Sequence, residues 1–223
     1  MKTRKPARGR RRGRPVVDAG DDVRGKLLDA AVGLYAEQGI AATTVAQVAR
    51  HAGVTGAMVH YYFKNREQLT DAVFLERVLR FRDLVWHEDE DFQPTQPKDA
   101  DLLLGLLIRR VIAATEELPW LPNLWVKEVL NESGLLRERL MKHFPVQQLQ
   151  GVAQAVAREQ RAGRMNRELQ PLLAVVSVFG LTLMLLATRK VWGRLPGAVE
   201  LDNTKLERHI VSLLQNGWNG RKS

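Results

Sequence analysis

The chain has 223 residues and no cysteine, which excludes a disulfide framework, a Cys-ligated zinc site and thiol nucleophilic catalysis. Its 45% apolar and 26% charged residues exclude wholesale disorder and fit one or two folded domains with a sizeable core. Lys plus Arg number 34 against 25 Asp plus Glu, but eight of the basic residues, from Lys2 to Arg14, fall within residues 1–17, which contain no acid. The remainder carries 26 basic against 25 acidic residues. A near-neutral body with a basic arm points to a polyanionic partner, either nucleic acid or an anionic membrane surface.

The arm, residues 1–18, is expected to be disordered. It runs into Pro15, Val16, Val17 and Asp18 rather than into the apolar stretch of a secretory signal, so the expected location is the cytoplasm, associated with the nucleoid. Residues 22–38 place Val23, Leu27, Leu28, Ala31, Leu34 and Tyr35 at helical spacing, with Asp21 or Asp22 as cap and Gly39 as stop. Two short apolar-periodic segments follow, 45–52 and 56–63, and then a longer one from Arg66 to about Trp86, capped by Asn65 with Gln68 three residues on. The acidic stretch His87–Lys98 contains Pro94 and Pro97 and reads as a loop dividing the chain.

Beyond the loop, 99–118 reads as an apolar helix broken by Pro119. Pro122 suits the first turn of the next helix, which is expected to end near Gly134. Helices at 135–143 and 146–162, an uncharged helix from Pro171 and a last one near 203–218 complete an all-α pattern. The run 171–188, PLLAVVSVFGLTLMLLAT, is 18 residues without a charge, about 27 Å as a helix against a hydrocarbon core of about 30 Å. It reads either as a membrane span or as a helix buried between others.

The most specific signal is residues 43–69, TTVAQVARHAGVTGAMVHYYFKNREQL. Thr44 and Gln47 have capping-box spacing, Val45, Val48, Ala49 and Ala52 form one apolar face, Gly53 supplies a turn, and Thr55 can cap a third helix that starts with Gly56 and Ala57. Two short helices joined this way make either a helix-turn-helix, whose second helix enters a DNA major groove, or an ordinary helical hairpin. Phe63 reads as core, and Arg66 and Glu67 as a solvated helix start. Arg12-Gly13-Arg14-Pro15 matches the core of an AT-hook, whose arginines would lie along a narrow A·T minor groove. The plainer reading of the same residues is an electrostatic arm that raises non-specific affinity.

T-T-V-x-x-V-A-x-x-A-G-V-T followed by H-Y-Y-F-K-N-R-E-x-L resembles the DNA-binding domain of the tetracycline-repressor (TetR) family over roughly residues 22–70. The resemblance implies a dimeric, all-helical regulator, usually a repressor released from its operator by a small molecule. Its organisation would be an arm over 1–18, a three-helix DNA-binding domain over 19–66 and a helical ligand-binding and dimerisation domain over 67–223. It further implies that Thr44 binds a phosphate at the start of the second helix. Thr55, Gly56 and Ala57 fall at the groove-facing start of the third, and Tyr61 and Lys64 match backbone-contacting positions. His60 and Ala57 depart from the Tyr and Gly common there, so Ala57 or Met58 is expected against thymine methyls.

The family's last two helices normally form a four-helix dimer interface, which would bury 171–188 and the stripe Leu206, Ile210, Leu213, Leu214 and Trp218. In the C-terminal half, Arg109, Trp120, Trp125 and Glu128 are the weak candidates for ligand binding, since an apolar pocket with a few polar groups could form around them. The five histidines lack metal-ligand spacing and no nucleophile elbow, P-loop or dinucleotide fingerprint occurs. Neither an enzyme, a metal site nor a cofactor is therefore expected. The expected partners are a double-stranded, roughly palindromic operator, a small-molecule effector and a second copy of the chain. The alternative is a sequence-independent architectural DNA binder.

Overall fold

A computed structural model describes residues 19–89, 92–93 and 99–218. The arm over 1–18, with Arg12 and Arg14, lies outside the described residues, as do Pro94 and Pro97. All regular structure among the described residues is helical. In chain order the helices are α1 (Ala19–Gln38), α2 (Val45–His51), α3 (Gly56–Tyr62), α4 (Arg66–Val73), α5 (Leu79–Trp86), α6 (Ala100–Glu117), α7 (Leu121–Trp125), α8 (Arg137–Lys142), α9 (Val146–Arg161), α10 (Pro171–Ala187), α11 (Arg189–Trp192) and α12 (Asn203–Trp218).

α1 begins before the expected aspartate cap, and Asp22 instead pairs with Lys26 one turn on, at 2.6 Å. The helix closes at Gly39, whose φ of 86° favours glycine. Asn65 caps α4 by accepting from the Gln68 backbone N–H at 2.9 Å, while the Gln68 side chain accepts from the Lys64 N–H at 3.2 Å. The reciprocal bond therefore sits one residue earlier than in a capping box.

Two apolar cores form. The first gathers Leu27, Leu28, Ala31 and Tyr35 of α1 with Val48, Val59, Phe63, Leu69 and Val73. The second surrounds α6, whose Leu103, Leu104, Leu107, Ile108 and Val111 are fully buried among α5, α9, α10 and α12. Two elements join the cores, and each contains a π-helical turn. α4 runs through Phe74–Val78 into α5, giving Leu69, Val73 and Val78 to the first core and Phe81 and Val85 to the second. α7 runs into Val126–Leu130, with Leu121 in the second core and Leu124 in the first. A π turn is wider than an α turn, which lets one continuous helix redirect its inward face between two cores.

Side-chain bonds reinforce the seam. The Tyr35 hydroxyl lies 3.2 Å from Thr70 Oγ1, and burial pushes its phenol pKa up. Arg24 makes two bonds to the Glu76 carboxylate, at 2.5 and 2.6 Å, holding it below the usual carboxylate range. At the far end, Trp218 Nε1 donates to Asp101 Oδ1 at 2.6 Å, tying the end of α12 to the start of α6.

The last helix departs from the expectation for its stripe. Leu206, Ile210 and Trp218 are buried inside the protomer, against the α6 core, and only Leu213 of that stripe is strongly exposed. Ile210 is 0% exposed, so it packs the protomer rather than facing a partner. α10, by contrast, buries Ala174, Val175, Val178, Thr182 and Leu183 and leaves Leu172, Leu173, Val176 and Met184 exposed. Among the described residues no helix is long and apolar enough to cross a membrane. The helix from Pro122 ends at Leu130 rather than near Gly134.

Candidate nucleic-acid interface and aromatic cavity

α2 and α3 are each only seven residues long, too short to hold as isolated helices in water. They persist through packing and capping. Val48, Ala49 and Val59 bury one side, and Thr44 completes a capping box: Thr44 Oγ1 accepts from the Gln47 N–H at 3.2 Å and the Gln47 side chain accepts from the Thr44 N–H at 2.8 Å. Both polar groups of Thr44 expected at a phosphate are thus engaged within the helix start. Thr55 caps α3 in extended geometry but makes no side-chain cap bond, so its hydroxyl is left for an outside partner.

The outward side of this unit is continuous. Thr55, Gly56, Ala57, His60, Tyr61 and Lys64 are all exposed, Tyr61 at 79%, while Met58 is half-buried. Tyr62 and Phe63 turn inward, with Phe63 at 3% and the Arg24 guanidinium 5.3 Å from its ring centre. Tyr61 stands edge-on to Tyr62 with ring centres 5.1 Å apart. No Asp or Glu occurs between Glu37 and Glu67, whereas Arg50, His51, His60, Lys64 and Arg66 do. That acid-free run was a readable signal that motif spacing overlooked. Arg66 is exposed, as expected of a solvated helix start, and also donates to the Ile40 carbonyl, which fixes the α1–α2 loop against α4.

Glu128 has a structural post in this loop. It is 5% exposed, and its carboxylate accepts from the Ile40 N–H at 2.7 Å and the Leu135 N–H at 3.0 Å. A Cβ at Gly134 would lie 2.2 Å from the Glu128 carbonyl oxygen, so the chain can fold back over Glu128 only as glycine. The residue expected to meet a ligand therefore ties α7 to the segment immediately before α2.

Nor does the structure bring the other three weak ligand candidates together. Arg109 faces solvent and pairs with Glu207 at 3.3 Å. Its neighbour Arg110 caps the end of α5, donating to the His87 carbonyl and to Asp89, each at 2.5 Å. Trp120 packs between the two cores. Trp125 alone of the set lines a cavity, an apolar chamber of about 130 Å³. The chamber shares Arg82, Trp86, His143, Phe144 and Pro145 with an adjoining vestibule of about 340 Å³. Sequence reasoning missed it because its walls come from α5, α7, α8, α9, α10 and the turn before α9, and no local spacing links them.

Residues 27–73 match the family model of the bacterial regulatory proteins of the tetR family. Over 66 residues the chain is 36% identical to the transcriptional repressor KstR2 of Mycobacterium tuberculosis, 28% of this chain and 33% of that protein. Over 57 residues it is 40% identical to the transcriptional regulator BetI of Rhizobium meliloti, 26% of this chain and 28% of that one. These alignments thus span about a third of the relatives' length. The fold likeness is wider. The ketosteroid transcriptional regulator KstR2 of M. tuberculosis superposes with a TM-score of 0.64 at 20% identity, covering 89% of this chain and 95% of that one. FadR from Bacillus subtilis, solved with stearoyl-CoA, gives 0.56 at 21% identity over 86% and 98%. The motif-bearing helices match the tetR family model, and the all-helical body agrees in fold with these solved regulators.

Proposed function

We propose that this chain is a dimeric DNA-binding transcriptional regulator, acting as a repressor that a small molecule releases from its operator. The observation that carries the reading is the exposed, acid-free start of α3 beside the capped start of α2. A helix so presented enters a major groove through its N-terminal residues. Thr55, Gly56 and Ala57 would approach base edges, the two small residues permitting close contact. Tyr61, Lys64 and His60 would meet the phosphate backbone, and the arm with Arg12 and Arg14 would add phosphate or minor-groove contacts.

Pairing of two chains is supported by the exposed line Leu173, Val176, Gly180 and Met184 on α10, large apolar side chains with a glycine between them. Two such faces together would bury surface that water opposes, and a two-fold dimer would set two α3 helices about 34–36 Å apart on a roughly palindromic site. Release by a small molecule is supported by the cavity in the second core and by the stearoyl-CoA bound in the related FadR structure. Glu128 supplies a rigid link between α7, which lines the cavity through Trp125, and the loop before α2.

The test is selection of genomic fragments by purified protein, followed by competition with random DNA at physiological salt. Recovery of one motif that resists competition is the expected result. Binding that random DNA removes at equal mass would replace this reading with a sequence-independent architectural binder.

A further inference from the structure

We infer that the aromatic chamber takes a single arene ring bearing an anionic, hydrogen-bond-accepting group, as in an aryl carboxylate. The term effector for that molecule rests on the regulator reading, whereas its chemistry rests on the cavity walls.

Size comes first. Apolar cavities of about 150 Å³ stay dry and admit benzene, and the chamber here is about 130 Å³. One ring fits; a fused four-ring skeleton or a long acyl chain does not. The walls then favour an arene over an alkane of that size. Phe81, Trp86, Trp125, Phe144 and Phe179 line the chamber. Several of these rings already contact one another: Phe81 meets Trp125 and Phe179 edge-to-face at 6.0 and 6.4 Å, and Trp86 stacks on Phe179 at 5.6 Å. A further ring inserted among them extends the same edge-to-face geometry.

The opening sets the charge. Arg82 lines both chamber and vestibule and spends Nε and Nη2 on Asp83 Oδ1, at 2.9 and 2.7 Å, which leaves Nη1 uncommitted. His143 also lines both spaces, and Gln148 lines the vestibule. Each can donate a hydrogen bond. His87 is already engaged, with Nε2 3.0 Å from Asp89 and Nδ1 3.2 Å from the Leu84 carbonyl. Asp83, the carboxylate among the described residues that line the vestibule, is paired with Arg82. An acceptor on the ring would therefore find three donors, one of them cationic, while a cation on the ring would lie against a guanidinium. Aromatic walls can hold a cation by themselves, so the charge of the ligand needs its own experimental arm.

The experiment is calorimetric titration of the full chain with phenylacetate, toluene and benzyltrimethylammonium. Phenylacetate is expected to bind at least tenfold more tightly than toluene, and the ammonium probe more weakly than either. Arg82→Gln should weaken phenylacetate about tenfold and leave toluene unchanged. Leu149→Trp, which fills the chamber from α9, should abolish both with the helical circular dichroism intact. The inference is overturned if wild type binds none of the probes, if the ammonium probe binds as tightly as phenylacetate, or if Arg82→Gln leaves phenylacetate affinity unchanged. DNA selection in the absence of probe is scored separately. A protein that selects an operator but binds no arene removes this inference alone, and one that binds phenylacetate but selects no DNA removes the regulator reading alone.

Discussion

α3 and α10 both turn a substantial face outward, and the two faces are chemical opposites. The outward residues of α3 are a glycine, an alanine, a histidine and a tyrosine, preceded by an uncapped threonine and followed by a lysine. α10 exposes Leu172, Leu173, Val176 and Met184 and carries no charge along its whole length. Water satisfies the first face at no cost, and under the proposed reading a polyanion displaces that water by exchanging its counterions for the basic groups. The second face loses free energy in water at roughly 25 cal/mol for each Å² left uncovered. A helix can therefore advertise its partner by what it withholds from the core, and the two faces of this protein call for different partners.

The sharpest way to break that comparison is a matched pair of charge insertions. Ile210→Glu places a carboxylate in the α6–α12 core with no partner and should cost roughly 3–5 kcal/mol, a large share of the stability of a domain. Thermal melting should show a protein that is largely unfolded or melts far lower. Leu173→Glu sets the same carboxylate on the exposed face of α10, where the protomer should stay folded, melt only modestly lower as the pairing is lost, and sediment as a single chain. Equal behaviour of the two variants would erase the distinction between core and partner-facing surface.

Smaller effects test the link between the regions. Glu128→Ala leaves the buried Ile40 N–H and the part-buried Leu135 N–H without their acceptor, a cost of roughly 1–3 kcal/mol. Glu128→Gln keeps one acceptor and should recover part of it in denaturant unfolding. Tyr61→Phe should leave stability unchanged, since the side chain is 79% exposed, yet weaken operator binding up to about tenfold through loss of one bond to a phosphate. An unchanged affinity would remove Tyr61 from the contact set.

The smallest effect concerns acid. Arg24 holds the Glu76 pKa below its ordinary value, so the pair's contribution is fully present above the ordinary carboxylate pKa and is lost as pH falls through the lowered folded value. Both side chains are more than a third exposed, which keeps that contribution below about 1 kcal/mol. Melts of wild type and Arg24→Ala should converge as pH falls below the ordinary carboxylate range.

How much of this could be read in advance depended on the range of the signal. The α2–α3 unit is specified by neighbours: Thr44 with Gln47 and Asn65 with Gln68 lie within a turn of each other, so spacing alone revealed both caps. Ile210 was legible as part of an apolar stripe but not as part of a particular interface, because a stripe states that a face is covered and not by what. Glu128 was legible as a polar group near an apolar pocket, yet its role needed Ile40, 88 residues away. The chamber needed Phe81 of α5 and Phe179 of α10 at one wall. Aromatic side chains scattered over that distance read as core until the fold leaves a space between them.

The most direct test of the account places the two faces in one experiment. If α10 pairs two chains so that two α3 helices meet successive major grooves, the selected operator should consist of two half-sites about 34–36 Å apart. Inserting about 5 base pairs between them turns one half-site to the opposite side of the duplex. Affinity measured at fixed salt should then fall by two orders of magnitude or more, and recover when the insertion is extended to a full turn. An operator that tolerates the half-turn insertion without loss would contradict a rigid two-fold dimer reading DNA through α3.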